Sequence, residues 1–395
     1  MAALHDAIVP FRDNDNIGIG VDSSSGDRKG LVVNPVTGTP KDAGGSTSEF
    51  SIIRIFQTSD LETALNIDAD ASAGIAAFAG GSARFDFAKQ MQVQSSSLFM
   101  AITARVQLAS ESIDVPTLAD QPAGGGASSM GDNPSIFSQR YGDMFVRSFQ
   151  RGGFYVGVLQ IDATSSSEAD QIAASLGGSY GLFSADASAK LQNVSSQYRS
   201  QLFVHQYSEG GTILQINDQH DPAQLVASVN TFLKSFQDTP DAVAVPFNCS
   251  LSPVTIAAGP LPLNDVQRQT ARDVIVECAK RRSETMDLLN LVQFISDHNS
   301  EYDFSNCPMA TITTSIVGFQ SDLDVIARCA SNAIDHPEGA AMPADFANHL
   351  TPPPSVPYPT ALPSPLPVRP AAAPATGSNL HDLHHSVGQW KNPLS

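Results

Sequence analysis

From Leu98 to Leu108 apolar and polar side chains alternate: Leu98, Met100, Ile102, Ala104, Val106 and Leu108 fall on one side, Thr103, Arg105 and Gln107 on the other. That period of two predicts a half-buried antiparallel strand. Glu49–Gln57 reads as another, with Ile52, Ile53, Ile55 and Phe56 supplying β-branched and aromatic content. Two longer strand readings follow, Asp143–Ile161, interrupted by Gly152-Gly153, and Gln201–Ile216, interrupted by Gly210-Gly211. A glycine pair in mid-strand weakens a ladder unless the sheet bends there. Residues 1–48, rich in Gly, Ser and Asp, read as loops with one short strand at Gly30–Asn34.

Between these strands lie two Ala/Ser-rich segments, 59–95 and 163–200, which fit two periods at once. They are proline-free and suit helices, and Ser167 with Asp170 resembles a capping box. With period two, Leu61, Leu65 and Ile67 oppose Glu62, Asn66, Asp68 and Asp70, while Phe85, Phe87, Met91 and Val93 oppose Arg84, Asp86, Gln90 and Gln92. Phe183 and Leu191 oppose Asp186, Lys190 and Gln192 more weakly. Gly80-Gly81 and Gly177-Gly178 sit where hairpin turns would go. Each arm has the length of a tilted membrane-spanning strand, about 10–13 residues. Leu65, Ile67, Phe85, Phe87, Met91, Phe183 and Leu191 are therefore the candidate lipid-facing residues, opposite Asp68, Asp70, Gln90 and Gln92. The competing reading is ordinary helices packed on a sheet, since Ala/Ser-rich sequence fits many patterns.

Further on, Pro222–Phe236 reads as helix and Ala242–Phe247 as extended. A helical module follows, over Asn264–Lys280, Met286–Phe294 and Leu323–Ala333. Thr351–Pro374 holds ten prolines in 24 residues, which predicts a solvated polyproline II tail. The expected organisation is 1–258 as one α+β domain, 259–345 as a helical module and 346–395 as a disordered Pro-rich tail.

Charge narrows the partners. With 22 basic against 40 acidic residues and a net charge of −18, counterion release onto nucleic acid is excluded as a binding mode. Contact with an anionic membrane must be local or receptor-led. No run of about eighteen apolar residues supplies a helical span. The opening MAALHDAIVPFRDNDN has neither a basic nor an apolar leader region, so a soluble protein released by a non-conventional route is expected.

Catalytic and metal chemistry finds little support. Gly177-Gly178-Ser179-Tyr180-Gly181 matches the G-x-S-x-G string, but a nucleophile elbow needs a buried strand before it, and Ser167–Leu176 reads as helix. No P-loop, HExxH or GxGxxG string occurs. His381, Asp382, His384 and His385 read as solvated tail residues, and Asp13 and Asp15 as loop carboxylates. Neither cofactor nor metal is expected, and the protein is not read as an enzyme. Cys249, Cys278, Cys307 and Cys329 match no metal spacing and fit either two disulfides or free buried thiols. Asn193-Val194-Ser195 and Asn248-Cys249-Ser250 are glycosylation strings only on a secretory route.

Tyr141-Gly142-Asp143-Met144-Phe145, six residues, then Gly152-Gly153 resembles the signature of the membrane attack complex/perforin family. Ile17-Gly18-Ile19-Gly20-Val21-Asp22 with Ser25-Gly26-Asp27-Arg28 is similar to that family's early glycine-rich stretch, and order and spacing agree over residues 15–255. Asp143 and Met144 depart from the usual Thr/Ser and His. The resemblance implies a bent four-stranded antiparallel sheet flanked by two helical clusters. It also implies that the clusters unfurl into amphipathic β-hairpins as protomers close into a ring-shaped β-barrel pore on a target membrane. Tyr141, Gly142, Phe145, Gly152, Gly153, Gly210 and Gly211 would then form the signature and hinge. Unpaired edges are not tolerated in lipid, so self-assembly must accompany insertion. The C-terminal module would carry recognition of a receptor or partner protein. A non-lytic protein using the same core for adhesion, assembly or recognition is the alternative.

Overall fold

The alternating runs form strands because their β-branched and aromatic residues find helices to pack against on either side. A computed structural model describes residues 6–38, 47–67, 83–94, 97–120, 126–127, 134–163, 166–175, 193, 196–198, 201–259 and 266–369. Three short strands, β1 (Ala7–Pro10), β2 (Ile19–Val21) and β3 (Arg28–Leu31), lie in the stretch expected to be mostly loop. The longer strands are β4 (Thr47–Ile55), β5 (Ser97–Gln107), β6 (Met144–Asp162), β7 (Leu202–Glu209) and β8 (Val245–Pro253). Helices α1 (Thr58–Ala64) and α2 (Ala83–Gln90) connect β4 to β5, and α3 (Pro134–Tyr141) leads into β6. Helix α4 (Ser166–Ser175) lies between β6 and β7, and α5 (Ala223–Asp238) follows β7. The C-terminal part is α6 (Val266–Asp297), α7 (Met309–Asp335) and α8 (Pro343–His349). The fold is α+β, built on one open antiparallel sheet in which β4, β5, β6 and β7 are successive neighbours.

Strand β5 corrects the half-buried expectation. Leu98, Met100, Ile102, Ala104 and Val106 face α4 and α5, meeting Ala169, Ile172, Leu225, Val229 and Phe232. Phe99 and Ala101 point the other way, beneath Leu61, Leu65, Phe87 and Met91 of the α1–α2 cluster. Both faces are covered, so the polar side of the alternation is confined to the distal end of the strand.

Strand β6 is the spine. From Met144 to Gly152 it pairs with β8; from Phe154 to Ile161 the same edge pairs with β7. The partner therefore changes at Gly152-Gly153, just after two register shifts in the β6–β8 ladder. Such bulges bend and twist a strand. By contrast, Gly210 and Gly211, expected in mid-strand, end β7: both take left-handed φ values of +63° and +66°, which a pleated ladder does not accommodate. The chain then folds back, and Val204 N–H donates to Gln219 C=O at 2.8 Å instead of to another strand.

The C-terminal expectations change in two ways. The helix expected to end near Lys280 runs on through the apolar face at Met286–Phe294 as one 32-residue helix, α6, packed against α7 through Val274, Cys278, Ile326 and Cys329. The Pro-rich segment is not a solvated tail as far as Arg369. Thr360 N–H donates to Asp322 at 2.7 Å, Leu362 and Leu366 pack on the helical pair, and Asp303 bridges Val368. Proline fixes an extended backbone at little entropic cost, and the apolar residues between the prolines supply the grip. Residues 370–395, including the histidine group, lie outside the described residues. All four cysteines are buried and free.

The two glycine-bearing motifs interlock. Gly20 pairs with Phe145, and a Cβ on Gly20 would sit 1.8 Å from the Tyr141 carbonyl oxygen. Gly20→Ala is therefore expected to lower unfolding stability by about 3 kcal/mol or more. Gly339→Ala, where a Cβ would meet nothing within 4 Å, should stay within about 0.5 kcal/mol. Denaturant midpoints of the two variants measure the contrast, and equal effects would refute the interlock.

Candidate hinge and the segments it holds

The family-like residues gather at two places on β6. At its start, Tyr141 closes α3, and Gly142 takes φ +71° with Val21 C=O 2.3 Å from where a Cβ would be. Phe145 is buried with Tyr141 and Phe137. Asp143, which departs from the signature, accepts hydrogen bonds from Ser23 N–H (2.8 Å) and Ser23 Oγ (2.7 Å), and pairs with Arg272 of α6. Asp143 thereby ties the start of β6 ionically to the C-terminal helices.

The second place is the partner switch. A Cβ on Gly153 would lie 2.5 Å from the Phe236 ring, and one on Gly211 2.4 Å from Phe232. Gly210 is as close to Gly152 C=O, at 2.6 Å. Four glycines and two phenylalanines of α5 converge where β7 gives way to β8. The sheet can change shape here only if α5 moves with it.

Beside this glycine cluster lies a residue that the period-two reading set on its polar side. Arg84 of α2, aligned there with Asp86, Gln90 and Gln92, is 0% exposed. Its guanidinium donates to both carboxylate oxygens of Glu209 at 2.8 and 2.5 Å, to Asn248 Oδ1 at 2.9 Å, and to the carbonyls of Phe247 (2.7 Å) and Leu65 (3.2 Å). It also stacks 4.4 Å above the Phe154 ring. One side chain joins α2 to the end of α1, to β6, to the start of β8 and to the last residue of β7. Tyr207 O–H donates to the same carboxylate at 2.6 Å, and burial with that contact pushes the phenol's pKa up.

The candidate lipid-facing residues fall differently. Leu65, Ile67, Phe87 and Met91 are buried in the core beneath α1 and α2, and Phe85 is half-buried with the Arg282 guanidinium 4.2 Å from its ring. In this state both described parts of the first segment are helical, seated on Phe99, Phe154 and Phe247. Phe183, Leu191, Ser179 and the turn pairs Gly80-Gly81 and Gly177-Gly178 lie outside the described residues. In the described part of the second segment Ala163 is buried and Tyr198 packs against the core, while α4 contributes only Ala169 and Ile172 to the fully buried core. An exposed ion pair, Arg54 to Asp170 at 2.7 Å, ties it to β4.

Two more carboxylates matter here: Asp15, read from the sequence as a loop carboxylate, and Asp287, which the sequence reading did not single out. Asp15 is buried, pairing with Arg28 and accepting from Arg12 N–H (2.8 Å) and the Cys249 thiol (2.8 Å). Burial and then the Asp15 charge push that thiol's pKa up, so it is inert. Asp287 of α6 accepts from Thr58 N–H (2.8 Å) and Thr58 Oγ (2.5 Å) at the start of α1. Burial raises its pKa to about 6, with Glu62 and Asp60 adding repulsion against the Thr58 hydrogen bonds. Among the described residues no group of three or more His, Cys, Asp or Glu could hold a metal ion, and no helix is long and apolar enough to cross a membrane.

No family model and no curated protein matches the chain. Among solved structures it is similar to stonustoxin, at 13% identity and a TM-score of 0.41, over 87% of this chain and 44% of that one. It is similar to GNIP1Aa from Chromobacterium piscinae at 15% identity and a TM-score of 0.30, over 74% and 57%. A protein described as a cell invasion protein with a MAC/Perforin domain, from Bacteroides thetaiotaomicron, gives 12% identity and a TM-score of 0.32, over 66% and 60%. The chain thus spans less than two thirds of each of these proteins. The functional reading below rests on this chain's own geometry.

Two outcomes follow. Arg84→Met leaves Glu209 without its cation, and breaking a buried pair in this way costs about 3–5 kcal/mol. Equilibrium denaturation measures that loss, and a neutral Arg84→Met would remove the arginine from its anchoring role. For Asp287 the folded pKa lies above the ordinary 3.8, so the folded chain binds the proton more tightly than the unfolded one. Its contribution to stability therefore falls as pH rises from about 4 to about 6. Asp287→Asn should flatten that part of the stability–pH curve; an unchanged slope would assign it to other groups.

Proposed function

We propose that this is a pore-forming protein of the membrane attack complex/perforin type. It assembles with copies of itself on a membrane and inserts two amphipathic β-hairpins per protomer into a β-barrel. The observation that carries the reading is the placement of the two double-period segments. Each connects adjacent strands of the four-stranded β4–β7 meander, the first between β4 and β5, the second between β6 and β7. If either segment became extended, its arms would continue strands already in register, so no new topology is needed. The glycine cluster where β6 changes partners is the place for the sheet to change shape. Among the described residues β4 pairs only with β5, which leaves its outer edge for the backbone pairing that ring closure requires. The C-terminal helices are the part available for recognising a receptor.

The dense seating of the first segment on Phe99, Phe154 and Phe247 speaks for a second reading, a non-lytic protein that uses the same core for adhesion, assembly or recognition. Dye-loaded vesicles of a total lipid extract separate the two. A pore former releases dye and leaves rings in electron micrographs; an assembly protein leaves the vesicles sealed. Conversion is tested at the exposed Arg54–Asp170 pair. Cysteines placed there and bridged by a short bis-maleimide should abolish release of dye by holding α4 to β4. Undiminished leakage from the bridged protein would rule out unfurling of the second segment.

A further inference from the structure

A hairpin that grows from a sheet leaves its helical state first at its roots, the residues next to the strand ends. For the first segment these are Thr58, just beyond β4, and Val93, just before β5. For the second they are Ala163, one residue beyond β6, and the start of β7 at Leu202. Three of the four are held by the C-terminal part of the chain.

Helix α6 presents one face to the first segment. Arg282 and Ser283, Asp287 and Asn290 stand about one turn apart along that face. Asp287 accepts the two Thr58 hydrogen bonds, and Asn290 donates to Val93 C=O at 3.0 Å. Between them Glu62 of α1 accepts from Arg282 at 3.0 Å and Ser283 at 2.7 Å. All four polar side chains of this middle and far contact, Glu62, Arg282, Ser283 and Asn290, are about nine-tenths buried. Entry and exit of the first segment are thus stapled to a single rigid helix. The Pro-rich strap closes the other root: Arg369 donates to Ala163 C=O at 2.7 Å and pairs with Glu301. The strap is itself moored to α7 by Thr360 and Asp322, beside a cavity of about 440 Å3 lined by Phe319 and Tyr358. The fourth root is held locally, by His220 Nδ1 against Leu202 C=O at 2.6 Å.

We infer that the C-terminal helical pair and its strap form a latch closed on the roots of both segments. Displacement of the latch from Thr58, Val93 and Ala163 is the step that permits conversion. The inference rests on the pore-forming reading for its purpose but not for its test. A polar latch suits this role better than an apolar one, because water can replace each of its hydrogen bonds once the helix lifts away.

Hydrogen exchange on the full chain in solution, with no lipid present, reads the latch directly. Arg282→Ala combined with Asn290→Ala should raise exchange across 58–65 and 84–93 by about tenfold or more. Arg369→Ala should do the same across 163–173. Neither variant should alter β6. Should the double variant lose its near-ultraviolet circular dichroism, Asn290→Ala alone carries the test through 84–93. Unchanged exchange at the roots, or a rise shared equally by β5 and β6, overturns the latch. Vesicles then separate the two readings. Freed roots without leakage from any variant, wild type included, uphold the latch and defeat the pore. Wild-type leakage rates in every variant, despite freed roots, defeat the latch as the permitting step and leave the pore standing.

Discussion

A fully buried guanidinium decides how this molecule can move. Arg84 has no water around it, so its charge is tolerated only while Glu209, Asn248 and the two backbone carbonyls hold it. Those partners belong to different parts of the chain: the end of β7, the start of β8 and the end of α1. Partial separation would strand a charge in low dielectric, which costs more than either leaving it in place or carrying it out to solvent. Any release of the first segment would therefore be all-or-none rather than gradual.

How much of this was legible depends on whether a residue's role is local. Strands β4, β5 and β6 begin and end within about two residues of their pattern-based bounds, because period two reports a pleated surface directly. The end of β7 was misjudged for a physical reason. Adjacent glycines read alike in sequence, yet Gly152-Gly153 lets a strand continue, whereas Gly210-Gly211 turns it. Only the neighbours, Val106 and Phe236 in one case and Phe232 and Val243 in the other, set the difference. The helix read as ending near Lys280 runs on through Arg281, Arg282, Ser283 and Glu284, polar residues that separate it from the apolar face at Met286–Phe294. Two of those four, Arg282 and Ser283, contact Glu62. The strap was misread because proline content reports backbone stiffness and says nothing of whether Leu362 and Leu366 find a surface.

Arg84 is the instructive case within the candidate site. On a strand reading it shares a face with Asp86, Gln90 and Gln92, and a lone cation there looks solvated. Its partner Glu209 is 125 residues away, beyond the range of any periodicity argument. A faint signal existed: Arg84 is the one basic residue of 71–88, a stretch built mainly from Ala, Gly, Ser and Phe, in a chain short of basic residues. Asp143 carried a clearer one, since an acid where the family-like pattern has a hydroxyl calls for a cation, and Arg272 supplies it.

The two segments are held by forces of different kind, and the difference sets an order of release. Among the described residues the first segment buries Leu61, Leu65, Ile67, Phe87 and Met91, which at about 1.5–3 kcal/mol each amounts to roughly 8–15 kcal/mol of apolar surface facing water in transit. The second buries Ile172 as its one large side chain, about 2 kcal/mol on the same scale, with the exposed Arg54–Asp170 pair adding little. Arg369 at Ala163 is thus a large fraction of what retains the described part of the second segment, whereas α6 only supplements what retains the first. If the segments convert as proposed, letting both go at once would expose the larger surface before any neighbour could cover it. Departure of the lighter segment first would uncover one face of the sheet while Arg84 still secured the other.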